Sequence, residues 1–311
     1  MARTIIHAMR VEFAGRDLVS MRELSRQEIE HILNTAERTE FSGDVLKGRL
    51  MCSLFFEPST RTRLSFETAM KRLGGEVVGF AKPGAASLSK GENLTDTIKT
   101  VSCYSDVIVL RHPREGAARL AAEVSDVPVI NAGDGSNQHP TQALTDLYTI
   151  RREHGRLKVR VAMVGDLKYA RTVRSLGQGL AKFGARLLLS SPPGLEMSEE
   201  LCAELESMGA RLEVCTSIEE AVERADVLYV TRIQKERFPD PEEYRKVQGA
   251  YRITPELLEI ASSRMIVLHP LPRVDEISPE VDHTDRARYF HQVRNSIPVR
   301  MAVLSLLLGV V

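Results

Sequence analysis

The feature that most constrains this 311-residue chain is a regular alternation of strand-like and helix-like runs, repeated in two series. In the first series, short apolar runs fall at Leu50–Phe56, Glu76–Phe80, Asp106–Leu110 and Pro128–Ile130, separated by helical patterns at Ser59–Leu73, Glu92–Tyr104 and Arg114–Val124. The second begins near Arg160. Its strands are expected at Arg160–Val164, Arg186–Ser190, Arg211–Cys215, Asp226–Val230 and Met265–Leu268. Its helices are expected at Ala170–Phe183, Ser198–Met208, Ile218–Arg224 and Thr254–Ala261. Strands that alternate with helices pair in parallel, and parallel sheets are covered on both faces. The fold class is therefore α/β: two domains, each a mostly parallel sheet with helices on both faces. The helix His139–His154 is expected to join them, and Arg288–Leu308 to form a long final helix.

The stretch "FFEPSTRTRLSFETAM" (Phe55–Met70) marks one strand-to-helix junction. Pro58 stops the strand, because it has no N–H to give a ladder. Ser59 is a natural N-cap, and Leu64, Phe66, Met70 and Leu73 supply an apolar stripe. The orphan amides of a helix N-terminus carry partial positive charge and suit an anion. Thr60, Arg61 and Thr62 at that turn extend the suggestion to phosphate, against the plainer reading of ordinary helix capping.

Lys plus Arg number 42 and Asp plus Glu number 42, so the formal charge is zero. That argues against a nucleic-acid or membrane-surface binder, and any anion site must come from local convergence of charge. Cys52, Cys103, Cys202 and Cys215 are scattered without metal-ligand spacing, as in a reducing compartment. The opening "MARTIIHAMR" lacks a signal-peptide core, and the apolar end, Met301–Val311, is too short to cross a bilayer. It reads as the buried last turns of a docking helix. The expected setting is the cytoplasm.

The run "RVAMVGDLKYARTV" is a strand, a Gly turn and a helix, as at the start of a dinucleotide-binding unit. No G-x-G-x-x-G follows Gly165, and the bulky residues after it would block a pyrophosphate, which disfavours a nicotinamide dehydrogenase. Other polar groups gather where strands end: Arg111 and His112; Gln138, His139 and Gln142; Lys168 and Arg171; Arg232 and Gln234; and His269 to Arg273. Each has a structural alternative; Arg273, for instance, could pair with nearby Asp275 on the surface. Together they describe a cleft for small polyanions carrying phosphate and carboxylate.

These motifs resemble the aspartate/ornithine carbamoyltransferase family over nearly the whole chain. "STRTR" and "HPTQAL" resemble the family in general, and "TRIQKERF" and "LHPLPRVDEI" resemble its aspartate branch. The ornithine branch usually has a Cys in the segment that here reads "HPLP". The resemblance implies carbamoyl transfer from carbamoyl phosphate to L-aspartate, an early step of de novo pyrimidine biosynthesis, with another amino acid such as ornithine as the alternative acceptor. A carbamoyl-phosphate domain would span 1–150, with helix 289–311 packed back on it, and an aspartate domain 151–288.

Carried onto this chain, the resemblance assigns Ser59, Thr60, Arg61 and Thr62 to the phosphate. Arg111 and His139, with Thr62, would bind the carbamoyl oxygen; Gln142 and the carbonyls of Pro270 and Leu271 would orient the carbamoyl NH₂. The Leu271–Pro272 bond is expected to be cis. Arg171, Arg232 and Gln234 would hold aspartate, with Ser87 and Lys90 supplied by a neighbouring chain of a homotrimer. No cofactor or metal is expected, and whether a separate zinc-bearing regulatory chain binds is left open. The pattern departs from the enteric-bacterial form in two loops: Ser87–Lys90 looks one residue shorter, and "FPDPEEY" one longer.

Overall fold

The computed structural model describes residues 12–38, 43–80, 91–233, 242 and 251–311. The first sheet contains β1 (Leu50–Phe55), β2 (Glu76–Phe80), β3 (Val107–His112) and β4 (Val129–Asp134) in the order β2-β1-β3-β4. Every pairing is parallel. Before it comes α1 (Arg26–Glu37), started by a capping box between Ser25 and Glu28. The connecting helices are α2 (Thr60–Arg72), α3 (Leu94–Ser102) and α4 (Ala117–Val124).

The second sheet contains β5 (Arg160–Val164), β6 (Arg186–Ser190), β7 (Arg211–Val214), β8 (Val227–Val230) and β9 (Ile266–Leu268). Its order is β7-β6-β5-β8-β9, again all parallel. Helix α5 (Pro140–His154) runs between the sheets in sequence, and α6 (Arg171–Ala181), α7 (Glu199–Ser207), α8 (Ile218–Arg224) and α9 (Pro255–Leu258) connect the later strands. The chain closes with α10 (Tyr289–Leu307), which packs on α1, α2 and α5. One apolar core runs from Phe55 and Phe66 through Leu144 and Leu147 to Leu176 and Leu187, so α5 and α6 are buried between the two sheets.

The expected alternation is present, with differences at element ends. β3 continues through His112 because β1 goes on pairing with it: Phe55 is in register with Arg111, and the Phe56 N–H donates to the Arg111 carbonyl. Arg111 and His112 therefore end a strand rather than follow one. The helix expected over Thr254–Ala261 is a single turn. Leu64 is 47% exposed, unlike Phe66, Met70 and Leu73, which are 0% exposed. Positions 66, 70 and 73 share one helix face, and 64 lies across the helix from them. The C-terminal run Met301–Leu307 is buried in α10, as a docking helix requires. Among the described residues, no helix is long and apolar enough to cross a membrane.

Candidate active site

In a doubly wound sheet, ligands bind at the carboxyl ends of strands where the strand order reverses. The first sheet reverses between β1 and β3, and the second between β5 and β8. The carboxyl ends of these four strands and the chain just beyond them supply Arg61, Arg111, Arg171 and Arg232, and all four line one cavity of about 680 Å³. The cavity thus lies where the crevices of the two sheets meet.

Its floor on one side is the first turn of α2. Ser59 holds the N-cap position with extended backbone, but its side chain makes no capping hydrogen bond. The amides of this turn lack the side-chain cap that Ser59 was expected to supply, at the edge of a cavity lined by Ser59, Thr60, Arg61 and Thr62. The Ser65 hydroxyl donates to the carbonyls of Arg61 and Thr62 at 2.6 and 2.9 Å and braces the turn. Arg300 of α10 donates in turn to Ser65 Oγ and stacks its guanidinium 4.8 Å from the Phe66 ring. Burial pushes Arg300 down to about 9, opposed by the charge of Asp146, and it remains a cation at neutral pH.

His139 is the N-cap residue of α5, followed by Pro140 at the first helical position. Its Nε2 lies 3.4 Å from Thr62 Oγ1, and its backbone N–H donates to Ser175 Oγ of α6 at 2.9 Å. Burial, then the positive charges of Arg171, Arg111 and Arg300, hold its pKa well below the ordinary histidine value. His139 is therefore a neutral hydrogen-bonding group, not a cation.

Five arginines line the cavity among the described residues: Arg61, Arg111, Arg171, Arg232 and Arg300. The single acid there is Glu57, whose carboxylate lies 3.4 Å from Arg111 and 3.6 Å from Arg171. Arg171 also donates to the Gly135 carbonyl at 2.7 Å. Gly133, at φ +116°, makes room for it: a Cβ there would come within 2.9 Å of the Arg171 guanidinium carbon. Gly165, also at φ +116°, makes room for the backbone beside it: a Cβ there would lie 2.3 Å from the Thr231 carbonyl oxygen.

On the remaining side lie Pro270 and Leu271, and the Leu271–Pro272 peptide is cis. The Leu271 N–H donates to His269 Nδ1 at 2.8 Å, which leaves Nε2 to carry the proton toward Glu276 Oε1 at 2.6 Å. Gln142 enters the cavity from α5, with its Nε2 donating to Asp146 Oδ1 at 2.8 Å. Burial raises the Asp146 carboxyl to about 6, although hydrogen bonds from Gln292, Gln142 and Tyr229 and the charge of Arg300 favour its ionised form.

The structure brings together Ser59, Thr60, Arg61, Thr62, Arg111, His139, Gln142, Arg171, Arg232, Pro270 and Leu271. Ser87, Lys90 and Gln234 lie outside the described residues. Three other strand-end candidates stand apart. Lys168 sits over the Tyr169 ring, Gln138 is buried against Gln178 and Ser175, and His112 packs on Phe56. Arg273 pairs with Asp282 instead of Asp275. Sequence reasoning missed Glu57, Asp146, Gln292 and Arg300. Glu57 was readable as the charge just before "PSTRTR", and Arg300 as the cation at the head of the apolar run Met301–Leu307. Among the described residues, no group of three or more His, Cys, Asp or Glu is placed to hold a metal ion.

Two family models cover most of the chain. The carbamoyl-P binding domain of aspartate/ornithine carbamoyltransferase matches residues 16–152, and the Asp/Orn binding domain matches 157–307. The chain is 57% identical over 304 residues to the aspartate carbamoyltransferase catalytic subunit of Methanopyrus kandleri, covering 96% of this chain and 98% of the relative. Its fold is similar to that of the catalytic subunit of M. jannaschii aspartate transcarbamoylase, with a TM-score of 0.86, 50% identity, and 94% and 98% of the two chains covered. It is also similar to Trypanosoma cruzi aspartate transcarbamoylase in complex with carbamoyl phosphate and aspartate, with a TM-score of 0.90, 39% identity, and 95% and 98% covered. An all-parallel pair of sheets, a cavity of arginines at their shared switch points and this likeness along nearly the full length agree: the chain belongs to the aspartate/ornithine carbamoyltransferase family, among the aspartate carbamoyltransferase catalytic subunits.

Proposed function

We propose that the chain transfers the carbamoyl group of carbamoyl phosphate to the amine of L-aspartate, giving N-carbamoyl-L-aspartate and phosphate. The observation that carries this reading is the cavity's charge: five guanidinium groups and one carboxylate among the described lining residues. Two anionic substrates fit such a cavity, whereas ornithine would bring a cationic side chain to Arg171 and Arg232. The T. cruzi enzyme, similar in fold, is in complex with carbamoyl phosphate and aspartate, which supports the same choice.

In this reading the first turn of α2, with Ser59, Thr60, Arg61 and Thr62, binds the phosphate. Arg111, Thr62 and neutral His139 donate to the carbamoyl oxygen. The aspartate amine attacks the carbamoyl carbon and negative charge grows on that oxygen, so fixed donors there stabilise the transition state most. Gln142 and the carbonyls of Pro270 and Leu271 accept from the carbamoyl NH₂. The tetrahedral intermediate then collapses. The carbon–oxygen bond to phosphate breaks, and the departing phosphate takes the amine's proton. Arg171, Arg232 and Gln234 hold the aspartate carboxylates, and the protein's main task is to hold two anions together against their repulsion.

Residues 1–150 with helix 289–311 would form the carbamoyl-phosphate unit, and 151–288 the aspartate unit. The proposed assembly is a cytoplasmic homotrimer in which Ser87 and Lys90 complete a neighbour's site. Sizing of the native complex with zinc analysis decides whether a regulatory chain joins it. The activity is tested by mixing protein, carbamoyl phosphate and an acceptor, and following phosphate release. Release with aspartate and not with ornithine is expected; the reverse would move the chain to the ornithine branch.

A further inference from the structure

Asp146 is fully buried on α5, next to the cavity but not among its lining residues. Three donors converge on it. Oδ1 accepts from Gln142 Nε2 at 2.8 Å and from Gln292 Nε2 at 2.6 Å, and Oδ2 accepts from Tyr229 OH at 2.9 Å. These donors come from α5, α10 and β8, so one carboxylate joins both halves of the chain. A carboxylate only accepts, which settles the orientation of both amides: each glutamine must turn its NH₂ to Asp146. The Gln292 oxygen then accepts from the His269 backbone N–H at 3.0 Å, directly before Pro270 and Leu271. The Gln142 oxygen is the end left for the cavity, which Gln142 lines.

We propose that Asp146 is a positioning residue for the carbamoyl NH₂ group. It aims the Gln142 oxygen at the NH₂ and, through Gln292, anchors the backbone that carries the Pro270 and Leu271 carbonyls. One buried acceptor thereby sets three others. The proposal rests on the carbamoyl-phosphate reading of the cavity and adds a source of selectivity. A donor-bearing carbamoyl group satisfies those acceptors, and a methyl group in its place leaves them unpaired and desolvated.

Acetyl phosphate is that comparison: it keeps the phosphate and carbonyl and replaces NH₂ with CH₃. Affinities for carbamoyl phosphate and acetyl phosphate are measured by calorimetry on the native protein and its variants. Wild type is expected to prefer carbamoyl phosphate by at least about tenfold, as a site built around a donor should. Asp146→Ala should cut that preference by about tenfold, through weaker carbamoyl phosphate binding with acetyl phosphate within about twofold of wild type. Asp146→Asn keeps an acceptor oxygen and should restore most of the preference.

A loss shared equally by both ligands in Asp146→Ala would mark a general collapse of the site and overturn the proposal, as would an unchanged ratio. Should Asp146→Ala not fold, Gln292→Leu decides, because it cuts the link to His269 while Asp146 and Gln142 stay. A wild-type ratio in that variant overturns the proposal. Failure of the underlying reading looks different: the wild-type protein would bind neither phosphate or release none with aspartate.

Discussion

His139 Nε2 and Thr62 Oγ1 stand 3.4 Å apart, which joins the first turn of α2 to the start of α5. With its pKa held low by burial and three arginines, His139 meets Thr62 as a neutral ring. Isotope-edited NMR should therefore show no protonation of His139 between pH 8 and about 6, below the usual histidine value. The linkage to stability has a definite sign. An unfolded histidine titrates near 6.5, while folded His139 and His269 titrate lower, so below about 6.5 the unfolded chain binds the extra protons. Their contribution is complete above that value and is lost as pH falls toward the folded values. Asp146 acts oppositely: its carboxyl, raised from 3.8 to about 6, takes up a proton in the folded state and offsets one histidine below about pH 6. The urea midpoint should fall between pH 7.5 and 6 and go on falling below 6, because Asp146 offsets only one of the two histidines. A midpoint that rises over the first interval contradicts this.

Arg61→Ala should abolish turnover and leave the fold intact, because Arg61 lines the cavity on the first turn of α2 and is outside the apolar core. The expected loss in kcat/KM corresponds to more than about 3 kcal/mol, as for a key charged donor. Near-normal rates with a native circular dichroism spectrum would remove the phosphate role from this turn.

Arg232→Ala should weaken aspartate use and spare carbamoyl phosphate. Arg232 follows β8 of the second sheet, two residues after Val230. Calorimetry of carbamoyl phosphate alone checks this, and a loss of more than about tenfold there would put Arg232 at the other end of the cavity.

Arg300→Met should separate stability from binding. Arg300 is buried, hydrogen-bonded to Ser65 and influenced by the charge of Asp146 without an ion pair to it, and replacing a buried charge by an apolar side chain of similar size is often neutral or stabilising. Ser65 keeps its bonds to the Arg61 and Thr62 carbonyls without it. The thermal midpoint should hold or rise, while carbamoyl phosphate affinity falls by about tenfold through the lost positive charge. A stable variant with wild-type affinity would leave Arg300 as packing alone.

The proposed shared site has its own test. Arg61→Ala and Lys90→Ala chains are unfolded together in equal amounts and refolded. A site with its core from the Lys90→Ala chain and its loop from the Arg61→Ala chain is intact, and random assembly makes about a quarter of sites so. Activity should rise from near zero toward about a quarter of wild type, if sites act independently. Hybrids verified by mass that stay inactive would mean Lys90 serves its own chain.

The local order of this protein is written in its sequence. Strand-helix alternation, Pro58 after β1 and the apolar period of α2 are short-range signals, and they suffice for two parallel sheets and for the carboxyl ends where Arg61, Arg111, Arg171 and Arg232 emerge. Tertiary structure decided what those residues meet. Gln292 and Asp146 are 146 positions apart, and Arg300 and Ser65 are 235 apart, so no local pattern links either pair. Glu57 was visible as a charge beside the motif, but its place between Arg111 and Arg171 depends on how the two sheets pack. The neutral state of His139 likewise follows from burial among arginines brought from β3, α6 and α10. Periodicity and turn chemistry act over a few residues, whereas burial and charge proximity arise only once α5, α6 and α10 close on one core.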